Sequence, residues 1–227
     1  MRSNKLRSLL ENRYTHLLAM LTVMFVFSPF LEREIMTFPM RSLAFLCAVI
    51  FMLRAIYLTK PVFVAAVVVA VAVSILDGVV RYGYLSSLNA SLRVMTLVTY
   101  AVFIAMSTVL LAKELFGARR VTKDTIMGGV CLYLNIGFLW AILYRIIYYF
   151  DKDAFGLSTK SHYFYSFYYS FTTLTTLGYG DICPQNSFAM VLSSLEAIIG
   201  QVYLAVFVAR LVALHVSQQY QHELRMP

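Results

Sequence analysis

Thr175-Thr176-Leu177-Gly178-Tyr179-Gly180-Asp181 joins two long apolar segments, and the way its backbone must run decides what fold can hold it. Glycines at alternate positions let the chain enter left-handed backbone repeatedly, where a Cβ would be penalised. Backbone of alternating hand turns successive carbonyl oxygens to one side, so a short extended stretch becomes a row of acceptors. Thr176 adds a hydroxyl oxygen at one end of the row, and the Tyr179 ring is left to pack away from it. Irregular backbone between apolar segments is tolerated at membrane depth only where it is buried in protein or lines water.

Composition places the whole chain in the bilayer. Of its residues 60% are apolar and 13% charged, and the mean hydropathy is +0.74, well outside the globular range. A span needs about 20 apolar residues, and six segments qualify: 16–31, 40–58, 61–80, 91–112, 126–150 and 187–214. A further apolar run, 162–175, is too short to cross and leads directly into the glycine stretch, as a re-entrant helix does. The expected fold class is an all-α membrane protein with six transmembrane helices and one re-entrant helix. The basic start (Arg2, Lys5, Arg7, Arg13) followed by an apolar run suggests a leader, but Ser28-Pro29-Phe30 is no small-residue cleavage site, so a signal anchor is the better reading.

A row of carbonyls lining a narrow pore replaces the water shell of a dehydrated potassium ion. From Phe164 to Leu214 the chain resembles the pore of potassium-selective channels of the six-transmembrane, voltage-gated-like superfamily: an aromatic-rich helix, then Thr-x-Gly-Tyr-Gly-Asp, then a helix with an internal glycine. The resemblance implies a homotetramer, since one chain supplies a quarter of such a filter, with potassium ions held by the carbonyls of Thr176, Leu177, Gly178 and Tyr179 and the Thr176 hydroxyl. Gly180 completes the filter. Asp181, Tyr168, Tyr169 and Thr172 would support it, the two tyrosines standing where the family usually has two tryptophans. Leu177 replaces the commoner valine or isoleucine without changing the carbonyl. The resemblance further implies a cation-favouring cavity at the C-terminal ends of four pore helices, an inner-helix hinge at Gly200, cavity-lining positions Gln201, Leu204 and Val208, with Val212 near the inner gate, and an outer-mouth position at Cys183. Gly200 could equally serve close packing. No cofactor is implied beyond the bound potassium ions.

Glu196 is the one carboxylate inside the two predicted spans of the pore domain, 126–150 and 187–214. A charge at that depth costs at least ~2.5 kcal/mol unless it meets water or a partner. Three readings stand open: a brace behind the filter to Thr172 or Thr173, a cavity charge that attracts cations, or a protonated, hydrogen-bonded core residue. With the brace reading, Glu196 joins the filter-supporting residues.

The chain divides into a four-helix peripheral domain over 1–112, an interfacial linker over 113–125, a pore domain over 126–214 and a short tail over 215–227. Thr122 and Asp124 are candidate caps for the fifth helix. Placing both termini in the cytoplasm puts twelve Lys and Arg inside (residues 2, 5, 7, 13, 54, 60, 113, 119, 120, 123, 210 and 225) and seven outside (33, 41, 81, 93, 145, 152 and 160), the bias of a multi-pass cell-membrane protein. The net charge of +8 therefore reads as topology with some attraction to anionic lipid, not as nucleic-acid binding. The fourth span departs from a voltage sensor. It carries one basic residue, Arg93, and four copies crossing the whole field would deliver roughly 9 kcal/mol per 100 mV, a third or less of a full sensor. A shallow conductance–voltage curve is expected.

Other function classes lack residues. The histidines (His16, His162, His215, His222) are dispersed, and Cys47, Cys131 and Cys183 form neither a metal nor a disulfide pattern. There is no phosphate-cradling loop, and the dozen residues after the inner helix are too few for a nucleotide- or calcium-sensing domain. The expectation is a passive potassium channel and not an enzyme. The alternatives are a non-conducting or regulatory pore-family subunit that needs a partner chain, and a subunit of a potassium-uptake transporter. The latter usually carries four pore repeats with one filter glycine each, against one repeat and two glycines here.

Overall fold

Thr122 decides where the central helix begins. The computed structural model describes residues 13–32, 64, 67–75, 89–118, 120–157 and 165–223. In it, the Thr122 side chain accepts from Thr125 N at 3.1 Å while Thr125 Oγ1 accepts from Thr122 N at 3.4 Å, a reciprocal cap that satisfies two orphan donors. Asp124 lies in the first turn, where a carboxylate complements the helix dipole. Its Oδ1 accepts from Tyr14 N at 3.3 Å. Thr122, not Asp124, is thus the cap of the helix Lys123–Phe150, which starts three residues before the expected 126.

In chain order the elements are α1 (Arg13–Glu32), α2 (Asn89–Gly117), α3 (Lys123–Phe150), β1 (Phe155–Leu157), α4 (Ser166–Leu174), β2 (Ile182–Pro184) and α5 (Ser187–Glu223). Residues 67–75 are also helical. Among the described residues, three helices are long and apolar enough to cross a membrane: Ser91–Gly117, Lys123–Phe150 and Ser187–Tyr220. At 1.5 Å per residue α3 reaches about 42 Å and α5 about 55 Å, beyond the ~30 Å hydrocarbon core. α1 contains the shorter apolar stretch Tyr14–Phe27. Of the other expected spans, 40–58 lies outside the described residues and 61–80 is described only in part. α2 runs to Gly117 and α3 starts at Lys123, so the expected linker over 113–125 overlaps the ends of both helices.

α3 is the hub, packed against α1, α2, α4 and α5. Tyr14, Leu17 and Leu21 of α1, Ile104 and Leu111 of α2, Leu174 of α4 and Tyr203 and Phe207 of α5 share one buried core with Leu132, Phe138 and Tyr144. Lipid is as apolar as these side chains, so helices in it associate through close fit and buried polar contacts instead of water exclusion. Both devices are present. Gly137 receives the Phe171 ring from α4, and that ring also meets Phe138 and, from α1, Phe25. Asn135 Nδ2 reaches Ser107 Oγ of α2 at 3.5 Å, both residues buried. Arg210 of α5 donates to the carbonyls of Phe116 and Ala118 and lies over the Phe116 ring. α2 has no basic residue in its last turn, so a distant helix supplies the cation its C-terminus favours.

Beyond α3 the chain turns back through β1, which pairs antiparallel with β2 in the register Phe155↔Pro184, Gly156↔Cys183, Leu157↔Ile182. Asn186 fixes the entry to α5. Its Oδ1 accepts from Ala189 N and its Nδ2 donates to Asp151 Oδ2, both at 2.7 Å.

Candidate functional site

The expected re-entrant helix over 162–175 is α4, Ser166–Leu174; residues 162–164 lie outside the described part. The C-terminus of α4 sets the course of the next residues. Thr173 O accepts from Thr176 N at 2.9 Å, and Thr172 O accepts from Leu177 N at 2.8 Å and Gly178 N at 3.1 Å. The orphan carbonyls that any helix end carries thereby hold the start of the glycine stretch. Thr172 acts here through its backbone oxygen.

Positive φ occurs at Thr176 (59°), Gly178 (53°) and Gly180 (78°), and at no other described residue. This is backbone of alternating hand over five residues, the condition for turning successive carbonyls to one side. For a β-branched residue such φ is a true outlier. Thr176 is held by Thr176 N to Thr173 O, by Oγ1 to Thr175 O at 2.6 Å, and by a donated bond from Gln201 Nε2 at 3.1 Å. Gln201 thus ties α5 to the first residue of the row. Leu204, Val208 and Val212 are exposed in the chain, as Gln201 is, and at spacings of three, four and four they share its face.

The two tyrosines of α4 divide. Tyr168 stacks on Tyr179, ring centroids 6.3 Å apart and planes 3° apart, and its hydroxyl engages the Asp181 carboxylate. Tyr169 turns the other way: it is buried against Tyr144 and Phe155, its hydroxyl 2.6 Å from Ser193 Oγ. One ring supports the glycine stretch directly; the other anchors α4 to α5. Asp181 also accepts from Ile182 N at 3.1 Å. Cys183 is exposed on β2, its Sγ 3.3 Å from Gly180 O.

Glu196 is fully buried, and its partners differ from those expected. Thr172 and Thr173 both turn their hydroxyls back to Tyr169 O, because threonine in a helix bonds its own preceding turn. The carboxyl instead lies 2.6 Å from Tyr144 Oη of α3 through Oε2 and 2.6 Å from Ser170 Oγ of α4 through Oε1. Ser170 Oγ is also 2.8 Å from Gly137 O. Tyr144, Ser170 and Ser193 were not singled out from the sequence. The available signal is Ser166 and Ser170 one turn apart on a short apolar helix, both buried, which marks a polar seam. A third contact is Tyr133 Oη donating to Leu174 O at 3.3 Å.

Gly200 sits where α5 crosses the end of α4, and a Cβ there would overlap the Leu174 carbonyl oxygen. α5 runs unbroken through it. Close approach to backbone is the reason the geometry supplies for this glycine.

Residues 132–216, from within α3 to within α5, match a protein-family model described as "Ion channel". Neither the curated proteins nor the solved structures compared with the chain gave a match. The family match covers less than half of the chain, and it supports an ion-channel pore in a membrane protein.

Proposed function

We propose that this protein is a subunit of a potassium-selective channel through which ions pass down their gradient, with Thr176, Leu177, Gly178 and Tyr179 lining the filter and four copies closing it. The alternation of positive φ at 176, 178 and 180 carries the reading, because only such backbone offers successive carbonyls to a dehydrated cation. A single chain leaves Leu177 and Tyr179 exposed, and α5 presents Val191, Leu195, Ile198, Val202, Val206 and Val212 uncovered. That breadth of bare apolar surface supports neighbouring copies as well as lipid. Asp181 and Tyr168 stiffen the outer end, Gln201 holds the inner end, and Gln201, Leu204 and Val208 face the cavity. The six-span layout and cytoplasmic termini belong to the same proposal.

Full-length protein in potassium-loaded liposomes is expected to take up rubidium and to reject sodium. Comparable sodium and rubidium uptake defeats the assignment, and no uptake of either leaves the partner-dependent subunit as the better reading.

Cys183 gives a second check on the orientation. Placed at the outer mouth, it offers no aromatic face, so external tetraethylammonium should block weakly, and Cys183→Tyr should strengthen the block through cation–π attraction. An impermeant thiol reagent added outside should label Cys183 in a Cys47→Ala, Cys131→Ala background. Labelling from the inside alone would invert the proposed topology.

A further inference from the structure

Glu196, Ser170, Tyr144 and the Gly137 carbonyl make a closed chain of hydrogen bonds across three helices, and the hydrogens in it can be counted. Ser170 Oγ has two close oxygens, Gly137 O at 2.8 Å and Glu196 Oε1 at 2.6 Å. A serine hydroxyl carries one hydrogen. If the carboxyl were ionised, Ser170 would give that hydrogen to Glu196, and its lone pairs would face the Gly137 oxygen at contact distance with nothing between them. Tyr144 cannot repair this, because its single hydrogen already goes to Oε2 at 2.6 Å. An ionised Glu196 would also stand fully buried with no basic partner among the described residues, in a segment long and apolar enough to span the membrane. One added proton resolves every contact. Tyr144 donates to Oε2, Oε1–H donates to Ser170, and Ser170 donates to the second lone pair of the Gly137 carbonyl.

We infer that Glu196 is held as a neutral carboxylic acid whose proton points at Ser170, making it a positioning residue that fixes α4, and through it the glycine stretch, against α3. The inference rests on the channel reading for its functional consequence, but not for its chemistry. It separates two of the roles a carboxyl could have here. A cation-attracting charge is removed by Glu196→Gln. A neutral donor–acceptor is preserved by it, since the glutamine amide donates to Ser170 and its carbonyl accepts from Tyr144. The path to the filter is short: Ser170 lies two residues before Thr172, whose carbonyl holds Leu177 and Gly178. The Tyr169–Ser193 contact beside it still ties α4 to α5, so losing the acid loosens α4 without unfolding it.

The first readout does not depend on ion flow. Purified protein in an ester-free detergent should show the carbonyl infrared band of a protonated carboxylic acid, shifted in deuterated buffer, present in Ser170→Ala and absent in Glu196→Gln. Absence of the band in the wild type overturns the inference whether or not the protein conducts. In liposomes, Glu196→Gln should keep rubidium uptake within about twofold of wild type, whereas Glu196→Leu and Ser170→Ala should lose about tenfold, the scale of leaving a buried hydrogen-bonding group unpaired. Tyr144→Phe combined with Ser170→Ala should cost less than the two losses added, as members of one network do. Raised potassium should partly restore Ser170→Ala, since an ion that binds only the intact filter stabilises it by mass action. Glu196→Gln as damaging as Glu196→Leu, in protein that still assembles by size-exclusion chromatography, overturns the neutral-acid role. A wild type that takes up no rubidium defeats the channel reading and leaves the infrared result to decide this one.

Discussion

Gly178→Ala is expected to reduce rubidium uptake into liposomes to the background of empty vesicles while the protein still purifies as a folded assembly. The reason lies in backbone conformation, not crowding. At φ 53° a Cβ on Gly178 would meet no atom of its own chain within 4 Å, so the side chain has room. What alanine lacks is free access to left-handed backbone, at roughly 1–2 kcal/mol per residue. In the proposed fourfold filter that penalty falls on every subunit, roughly 4–8 kcal/mol in all, comparable to the stability of a whole domain. Rotating one peptide relieves it, and a rotated peptide turns a carbonyl away from the ion path. Thr176 carries the same strain, but three hydrogen bonds hold it. Alanine at 178 brings no such bonds. Uptake in Gly178→Ala equal to wild type would remove the alternating backbone as the basis of selectivity.

Gly200→Ala is expected to lower the thermal midpoint of the purified protein and to weaken conduction with it. Here two effects have opposite signs, so the measurement decides between them. In a helix alanine is favoured over glycine by ~1 kcal/mol; if Gly200 served bending alone, the substitution would raise the midpoint and alter only opening. The added Cβ, however, would land on the Leu174 carbonyl oxygen. That atom belongs to the backbone at the end of α4, is held by Tyr133, and cannot swing aside as a side chain does. Overpacking of this kind typically costs about 1–3 kcal/mol, enough to outweigh the helix preference. It also displaces the turn from which the glycine stretch hangs. A raised midpoint with altered gating would return Gly200 to the hinge.

Residues 164–214 were the most legible part of the chain, because backbone chemistry is local. Glycines at 178 and 180 announce left-handed positions, and a short apolar run ahead of them announces a helix that cannot cross. That Tyr168 and Tyr169 stand near the glycine stretch was legible for a similar reason, since α4 and that stretch are adjacent in sequence; which of the two rings stacks on Tyr179 was not. The partners of Glu196 were not. Thr172 and Thr173 are polar and near the filter, which made them natural candidates, yet a threonine hydroxyl in a helix is spent on its own preceding turn. The side chains that meet the carboxyl come from positions 26 and 52 residues away in sequence. Periodicity places residues on faces of single helices and says nothing about which faces meet.

The same division runs through the rest of the molecule. By itself the sequence indicated a membrane protein, roughly where the long helices α2, α3 and α5 fall, and that residues 176–180 adopt backbone that only glycine tolerates freely; each follows from hydropathy or φ preference over a few residues. Only the tertiary structure decided that α3 is the hub, that Tyr169 turns away from the glycine stretch while Tyr168 stacks on it, that Gly200 is pressed against a carbonyl, and that Arg210 caps a helix more than 90 residues earlier. In lipid, water exclusion does not choose between apolar helix faces. The choice falls to a few close approaches and buried hydrogen bonds, each joining residues far apart in the chain, and the pattern along any one helix does not encode them.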